Sequence, residues 1–301
     1  MVAPPNPRPV LGVYPPGPEH WVGDGFCVRT IFWPQRGASA LSPFLLLDYA
    51  EPRHFPPSTK RLGVGEHPHR GFETVTLALH GEIEHRDSAG GGGCIGPGDV
   101  QWMTAGSGVV HEERHSRRFG QDGGLFSMLQ LWVNLPADRK MCAPRYQALL
   151  DASFPRVPLG PAVGRLIAGD LNDQTGPAHV HSPLMVVDLK WSAAGRVSLP
   201  VPDGWNTLAV LVTDSGAVGA EATPLQIGHL ALFDPSVPGS VLLHGTGSTR
   251  MLLLAGAPLD EPVVAHGPFV MNDWDQIRTA ISDYESGAMG RLTPAVDSGG
   301  D

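Results

Sequence analysis

Two short stretches decide the fold: His67-Pro68-His69-Arg70-Gly71-Phe72-Glu73 and Val109-Val110-His111-Glu112-Glu113. In a β-strand, side chains at positions i and i+2 project from the same face. His67 and His69 therefore form one pair, and His111 and Glu113 form a second. If the two strands face each other across a small barrel, three imidazoles and one carboxylate converge. Such a set predicts a site for a divalent first-row metal.

Composition and charge exclude several classes of protein. The 301 residues are 42% hydrophobic and 17% charged, which is typical of a soluble globular chain with room for two domains. The 38 glycines and 30 prolines favour short strands joined by turns over a helix bundle. A net charge of −9 gives no general attraction to nucleic acid or anionic lipid, so we expect no direct partner of either kind.

No segment has the pattern of a membrane span or a signal peptide, so a cytoplasmic location is expected. The three cysteines, Cys27, Cys94 and Cys142, lie far apart and do not form a disulfide framework or a CxxC metal site. We also expect the chain to act as a monomer.

The first half of the chain reads as an antiparallel barrel. Strand-like runs follow the His pair at residues 72–80 and 82–87, and the turn Pro97-Gly98-Asp99 precedes another at residues 100–104. The four glycines at 90–93 lack both a GK(S/T) ending and a following helix, so they are interpreted as a hairpin loop and not a phosphate site. This order of elements predicts a barrel that folds back on itself.

The second half repeats the pattern and then ends differently. Short strand candidates predict a second barrel of similar size, so we divide the chain into residues 1–140 and residues 141–301. His179 and His181 repeat the HxH spacing, but no HxE pair follows, and this barrel is expected to hold no metal. Near the end, Asn272 can cap a helix whose apolar stripe packs on a barrel: Trp274, Ile277, Ile281 and Tyr284.

The assembled motifs resemble those of the pirin family of two-barrel cupins. The resemblance is carried by residues 67–75, 97–106, 130–136 and 267–272. It implies an all-β fold, a bicupin of two antiparallel jelly-roll barrels with a short C-terminal helix. One departure lies before the His pair, where the family's usual Gly-Phe-Pro-x-His-Pro-His string is replaced by Gly63-Val64-Gly65-Glu66-His67. The rim therefore lacks an aromatic residue and a proline, which bears on substrate shape more than on metal binding.

The resemblance also implies a ligand set: His67, His69, His111 and Glu113, which are the residues that strand geometry selects. Glu112 is a competing ligand, although the period of two favours Glu113. Glu73 lies at an even offset from His69 and either replaces Glu113 as ligand or orients an imidazole. Arg70 points away from His69 and is either an ion-pair partner or a substrate contact.

Two main functions from different classes, and one further alternative, remain open at this point. Family members include quercetin 2,3-dioxygenases, which implies a flavonol substrate, O2, Fe(II), and Glu113 as the catalytic base; Mn, Ni, Co, Cu or Zn can occupy such a cage in vitro. Other members are metal-dependent binding partners of proteins, which implies a non-catalytic iron-containing regulator that senses redox state. A third reading is an isomerase or hydrolase that uses Zn or Mn as a Lewis acid.

Overall fold

The computed structural model of the chain describes residues 6–33 and 38–292. Its strands pair antiparallel throughout these ranges, apart from two isolated parallel bridges. In the first half, the elements are β1 (Val10–Tyr14), β2 (Glu19–Val22), β3 (Phe26–Phe32), α1 (Ala38–Leu41), β4 (Phe44–Phe55), β5 (Gly63–His69), β6 (Phe72–His80), β7 (Ile83–Asp87), β8 (Gly92–Ile95), β9 (Val100–Thr104), β10 (Val109–His115), α2 (Arg117–Asp122) and β11 (Gly124–Asn134).

The second half contains a short 3-10 turn at Asp151–Ser153 and one longer helix at its end. Its elements are β12 (Arg145–Leu149), β13 (Arg156–Leu159), β14 (Ala162–Ala168), β15 (Asp170–Leu171), β16 (Gln174–Thr175), β17 (Leu184–Trp191), β18 (Gly195–Pro200), β19 (Asn206–Thr213), β20 (Gly216–Val218), β21 (Thr223–Leu225), β22 (Leu230–Phe233), β23 (Ser240–Gly245), β24 (Arg250–Gly256), β25 (Val264–His266), β26 (Phe269–Met271) and α3 (Trp274–Ser286).

Two barrels form, each from a seven-stranded and a four-stranded sheet. The N-terminal barrel has the orders β12-β9-β6-β11-β4-β3-β2 and β5-β10-β7-β8, and the C-terminal barrel has β1-β22-β19-β24-β17-β14-β13 and β18-β23-β20-β21. The expected all-β fold with two antiparallel barrels is confirmed. The division at residue 140 stays a prediction, and strand pairing crosses it, because β1 joins the C-terminal barrel and β12 joins the N-terminal one.

The two seven-stranded sheets pack against each other through the outer faces of the barrels. One apolar cluster contains Val75 and Leu131 of the N-terminal barrel together with Leu208 and Leu254 of the C-terminal barrel. A separate apolar cluster, which includes Met185, fills the interior of the C-terminal barrel. Alternating residues of a strand thus serve different environments, as the period of two requires.

Two local predictions need correction. The glycine run does not form only a loop, because β8 begins at Gly92 and pairs with β7. Helix α3 is capped by Asp273 and not by Asn272: the Asp273 carboxylate accepts a hydrogen bond from the Gln276 amide at 2.8 Å.

The predicted apolar stripe of α3 is wrong at its two aromatic ends. Trp274 and Tyr284 are exposed, while Ile277 and Ala280 are buried. The buried face contacts Val110 and therefore packs on the N-terminal barrel. Among the described residues, no helix has the length and apolar character needed to cross a bilayer.

A buried charge cluster ties the C-terminal barrel together and reaches the N-terminal one. Asp188 is 2% exposed and accepts hydrogen bonds from Arg250 at 2.7 and 2.8 Å and from Arg165 Nε at 3.1 Å. Arg165 also donates to the carbonyl of Gly98, which lies in the turn before β9. Although burial acts to raise it, the neighbouring Arg250 holds the pKa of Asp188 below its ordinary value.

Replacement of Asp188 by Ala is expected to lower the free energy of unfolding by about 3–5 kcal/mol, because the buried Arg165 and the partly buried Arg250 both lose a buried carboxylate partner. Urea denaturation measures this loss. The matched control is Asp138→Ala, which removes an exposed ion pair with Arg139 and is expected to leave the midpoint nearly unchanged. Equal midpoints for the two variants would contradict the structural role of Asp188.

Candidate metal centre

Neighbouring strands of the small N-terminal sheet bring the predicted histidines together. His67 and His69 lie on β5 and His111 lies on β10, where His111 is directly opposite His67. One nitrogen from each of the three imidazoles lies within 4.8 Å of the others. His69 and His111 are buried, and His67 is partly exposed. Three of the four predicted residues therefore form one compact group.

The Nδ1 atoms of these histidines are all engaged away from the centre of the group. His67 Nδ1 lies 2.8 Å from the Gly65 carbonyl, and His69 Nδ1 lies 3.2 Å from the Pro268 carbonyl. His111 Nδ1 lies 3.3 Å from His85 Nδ1. A carbonyl only accepts, so the first two Nδ1 atoms carry the proton and leave Nε2 as the ligand atom. The Nε2 atom of His111 is buried and has no hydrogen-bond partner among the residues that the structure describes.

Burial keeps the imidazoles of His69 and His111 neutral. Desolvation, followed by the neighbouring His67, lowers the pKa of His69 and of His111 well below the ordinary value. A neutral imidazole offers a lone pair to a cation, whereas a protonated one repels it. The donor set therefore suits a metal ion: buried imidazoles with Nδ1 anchored and one unpartnered Nε2.

Glu113 lies beside this group and shares a second one with His111 and His85. Its Oε1 accepts hydrogen bonds from Gln101 and from the Thr76 hydroxyl, the latter at 3.2 Å, and its Oε2 lies 3.3 Å from Gln130 Nε2. These three donors come from strands of the opposite, seven-stranded sheet. The carboxylate is thus held by donors on the inner face of the barrel.

The competing carboxylates point elsewhere. Glu112 is on the other face of β10 and forms ion pairs with Arg86 and Arg114. Glu73 accepts a hydrogen bond from Thr104 at 2.6 Å, and its Oε1 lies 4.0 Å from His181 Nε2. Despite their even spacing, His69 and Glu73 do not lie on one face, because a break at Gly71 (φ +86°) separates β5 from β6. Glu73 faces the other barrel, and its expected role beside a site imidazole is wrong.

The remaining sequence candidates are also placed. Arg70 donates to the Ser107 carbonyl at 2.7 Å and pairs with Asp283 of α3 at 2.8 Å, so it serves as the ion-pair partner. His179 and His181 lie outside the two barrel sheets, with ring centroids 5.5 Å apart. That the C-terminal barrel holds no metal stays a prediction.

A cavity of about 270 Å³ opens next to the histidines. Most of its lining residues are apolar, and three of the ligand candidates, His67, His69 and Glu113, are among the polar ones. Part of the wall, the turn between β25 and β26, comes from the C-terminal half of the chain. The lining residues are Val22, Phe26, Val28, Asp48, Val64, His67, His69, Glu113, Met128, Gln130, Trp132, Gly267 and Pro268.

Several residues around the site were missed by the sequence analysis. His85 and Asp87 were assigned to a polar strand without a role, and Gln101, Gln130 and Asp48 were not singled out. One available signal was the period of two in β7, where the buried Ile83, His85 and Asp87 alternate with two partly exposed charged residues. No comparable pattern indicated that Pro268, which is far from the histidines along the chain, contacts His69.

A buried lysine connects the two halves of the chain behind the site. Lys140 Nζ donates to the carbonyl of Gly71 at 2.8 Å, to Asn134 Oδ1 at 2.7 Å and to the carbonyl of Val270 at 2.9 Å. Burial lowers the pKa of Lys140 to about 7, while three oxygen acceptors match the three N–H bonds of the charged form. Lys140 thereby holds strand β26, two residues from Pro268, against the start of β6.

Comparison with known proteins matches both halves of the chain. A family profile described as Pirin matches residues 26–133, and one described as Pirin C-terminal cupin domain matches residues 186–290. A Pseudomonas aeruginosa protein named "Putative quercetin 2,3-dioxygenase" is 50% identical over 282 residues, which cover 93% of this chain and 98% of the relative. A pirin-like protein of Solanum lycopersicum is 37% identical over 273 residues, covering 89% and 88%.

A solved structure has the same fold as this chain. The crystal structure of quercetin 2,3-dioxygenase from Acinetobacter baumannii superimposes with a TM-score of 0.90 at 45% identity. The match covers 97% of this chain and 100% of that chain. The likeness therefore extends over both barrels.

Replacement of Lys140 by Met is expected to lower the free energy of unfolding by about 2–4 kcal/mol, because three buried acceptors lose their donor. Urea unfolding measures the loss. Lys60→Met is the matched control, since the Lys60 side chain is 71% exposed and forms an ion pair with Asp24 at the surface. A Lys140 variant as stable as the control would show that the lysine does not hold the two halves together.

Proposed function

We propose, since this chain belongs to the pirin family, that it is a metal-dependent dioxygenase that acts on a quercetin-type flavonol with O2. One observation carries the proposal: three imidazoles with anchored Nδ1 atoms cluster together, and two of them, His67 and His69, line a cavity that Glu113 also lines. The names of the Pseudomonas aeruginosa relative and of the Acinetobacter baumannii structure supply the reaction class.

The proposed ligands are His67, His69, His111 and Glu113. Nitrogen and carboxylate oxygen donors together suit Fe(II), which is the metal we propose, and the same donors accept Mn, Ni, Co, Cu or Zn in vitro. The unpartnered Nε2 of His111 is the atom whose burial a bound cation would offset. A bound Fe(II) ion would supply positions for a chelating oxygen of the flavonol and for O2.

Glu113 is the proposed base. Loss of the proton from the flavonol 3-hydroxyl makes the ring electron-rich enough to react with O2, and a carboxylate on the cavity wall is placed to accept it. Gln101, Thr76 and Gln130 hold the two carboxylate oxygens in position. The apolar walls of the cavity exclude water from the substrate rings.

Asp48 provides a second polar anchor in the same cavity. Its Oδ1 accepts a hydrogen bond from the Thr30 hydroxyl at 2.6 Å, and β4 places it directly opposite Gln130. Burial raises the pKa of Asp48. The carboxyl group lines the cavity among Val28 and Met128, where it can accept a hydrogen bond from a phenolic hydroxyl remote from the chelating group. We propose that it favours flavonols that carry such hydroxyls.

Protein loaded with Fe(II) is expected to consume quercetin under air, measured as loss of the visible absorbance of quercetin together with release of carbon monoxide. His111→Ala should reduce the rate to that of a protein-free mixture, because one proposed ligand is lost. His179→Ala is the matched control and should retain the rate, since His179 lies outside the site. Metal content is determined on the same preparations. A metal-loaded protein no faster than His111→Ala would overturn the proposal.

The role of Asp48 predicts a change in substrate preference. The parent protein should bind quercetin more tightly than 3-hydroxyflavone, which has the same ring skeleton but no other hydroxyl group. In Asp48→Ala this preference should shrink by about 1 kcal/mol, or roughly fivefold, the typical net value of one hydrogen bond. Binding is measured by titration of the metal-loaded protein without O2, with Asp122→Ala, at the surface, as control. An unchanged preference in Asp48→Ala would exclude the role.

A further inference from the structure

Behind His111 lies a pair of residues that the proposed reaction does not use. His85 and Asp87 project from β7 toward the inside of the N-terminal barrel, opposite Glu113 and His111 of β10. The His85 and Asp87 side chains are 0% and 3% exposed. A buried carboxylate next to two neighbouring imidazoles requires a function or at least complete hydrogen bonding.

We infer that Asp87 and His85 are positioning residues: they fix the proton of His111 on Nδ1, so that its Nε2 always keeps a lone pair for a metal ion. This inference rests on the proposed metal site, because it assigns His111 as a ligand. It goes beyond the ligands themselves, since neither His85 nor Asp87 would touch metal or substrate.

The contacts form an unbroken chain. The backbone amides of Ala89 and Gly91 donate to Asp87 Oδ1 at 2.9 and 2.8 Å. The other oxygen, Oδ2, lies 3.1 Å from His85 Nε2, and His85 Nδ1 lies 3.3 Å from His111 Nδ1. His111 Nε2 has no partner. The chain therefore runs from two fixed amides to the atom proposed to bind metal.

The protons in this chain have only one consistent arrangement when both rings are neutral. A carboxylate accepts and cannot donate, so His85 Nε2 must carry the proton. His85 Nδ1 is then an acceptor, and the hydrogen between the rings must belong to His111 Nδ1. His111 Nε2 is left with its lone pair. Hydrogen bonds that orient a ligating histidine and set its tautomer also raise its basicity toward a metal.

Two further features hold the pair in place. The ring of His85 stacks on Tyr146, with centroids 4.7 Å apart and planes inclined by 12°. The Tyr146 hydroxyl donates to Gln101 Oε1 at 3.3 Å, and Gln101 Nε2 in turn donates to Glu113. Because β12 carries Tyr146, one strand supports the partners of both His111 and Glu113.

Substitution of Asp87 by Asn tests the inference with almost no change in shape. If the Asn oxygen keeps the amides of Ala89 and Gly91, its NH2 group faces His85 Nε2. His85 must then accept there and carry its proton on Nδ1, so His111 Nδ1 accepts and the His111 proton moves to Nε2. The same exchange in a serine protease triad gives the wrong histidine tautomer. A proton on Nε2 blocks the proposed ligand atom.

The first measurement is the tautomer itself, by two-bond ¹H–¹⁵N NMR correlations of ¹⁵N-histidine-labelled protein without metal at pH 7.5. We expect His111 as the Nδ1–H form in the parent protein and as the Nε2–H form in Asp87→Asn. An Nε2–H form in the parent protein would overturn the inference. This readout needs no turnover, so absence of dioxygenase activity would refute the proposed function and leave this result standing.

The second measurement is the affinity for Ni²⁺, by competition with a chelator. Asp87→Asn should bind about 10- to 100-fold more weakly than the parent, as is typical when an outer partner of a metal ligand is lost. The matched control is Asp99→Asn, because Asp99 also accepts backbone amides in a turn of this barrel but contacts no imidazole. Equal affinities in Asp87→Asn and the control would contradict the inference.

A phenylalanine at position 85 separates positioning from simple packing. His85→Phe keeps a ring to stack on Tyr146 but removes the acceptor for His111. Its Ni²⁺ affinity should fall, and the double variant with Asp87→Asn should show no further loss, because Asp87 acts only through His85. Additive losses, or two Ni²⁺ ions per chain with one lost on removal of His85, would show instead that these residues act independently or bind metal themselves.

Discussion

Burial of both faces of one sheet is the constraint on which this structure depends. In the seven-stranded sheet of the N-terminal barrel, residues such as Val75 and Leu131 pack against the other barrel. Their neighbours Thr76 and Gln130 point into the barrel, where they contact each other and Glu113. Because side chains alternate along a strand, one face of this sheet forms the apolar interface between the barrels, and the other face lines the polar interior of the N-terminal barrel. A register shift of one residue would therefore turn the apolar residues into the barrel and the polar residues into the interface.

The buried polar groups inside the N-terminal barrel are tolerated because they form hydrogen bonds with neighbouring groups. Glu113 is held by three donors from the large sheet, whereas the imidazoles are anchored by carbonyls and by His85. Buried polar groups are costly unless they are paired, so an isolated histidine or glutamate there would destabilise the fold. The equivalent interior of the C-terminal barrel is filled by apolar side chains. The same architecture therefore encloses a polar candidate site in one half and an apolar core in the other.

The C-terminal half nevertheless takes part in the site. Pro268 accepts a hydrogen bond from His69, and Lys140 holds the following strand through the carbonyl of Val270. Arg70, next to His69, forms an ion pair with Asp283 of helix α3. These contacts connect residues far apart in the chain, and they make the orientation of His69 depend on correct docking of the last segment. The last segment of the chain, from β25 to α3, thus forms part of the surroundings of the candidate site.

The sequence alone determined the barrel strands, the pairing of His67 with His69 and the common face of His111 and Glu113, because a period of two is a local property of an extended chain. It could not decide between Glu113 and Glu73, since the answer depends on a strand break at Gly71 and on which face of β6 meets the other barrel. Only the tertiary structure brought His85 and Asp87 behind His111 and Pro268 beside His69. Such contacts depend on strand order and on docking of the two halves, and neither leaves a periodic signal in the sequence.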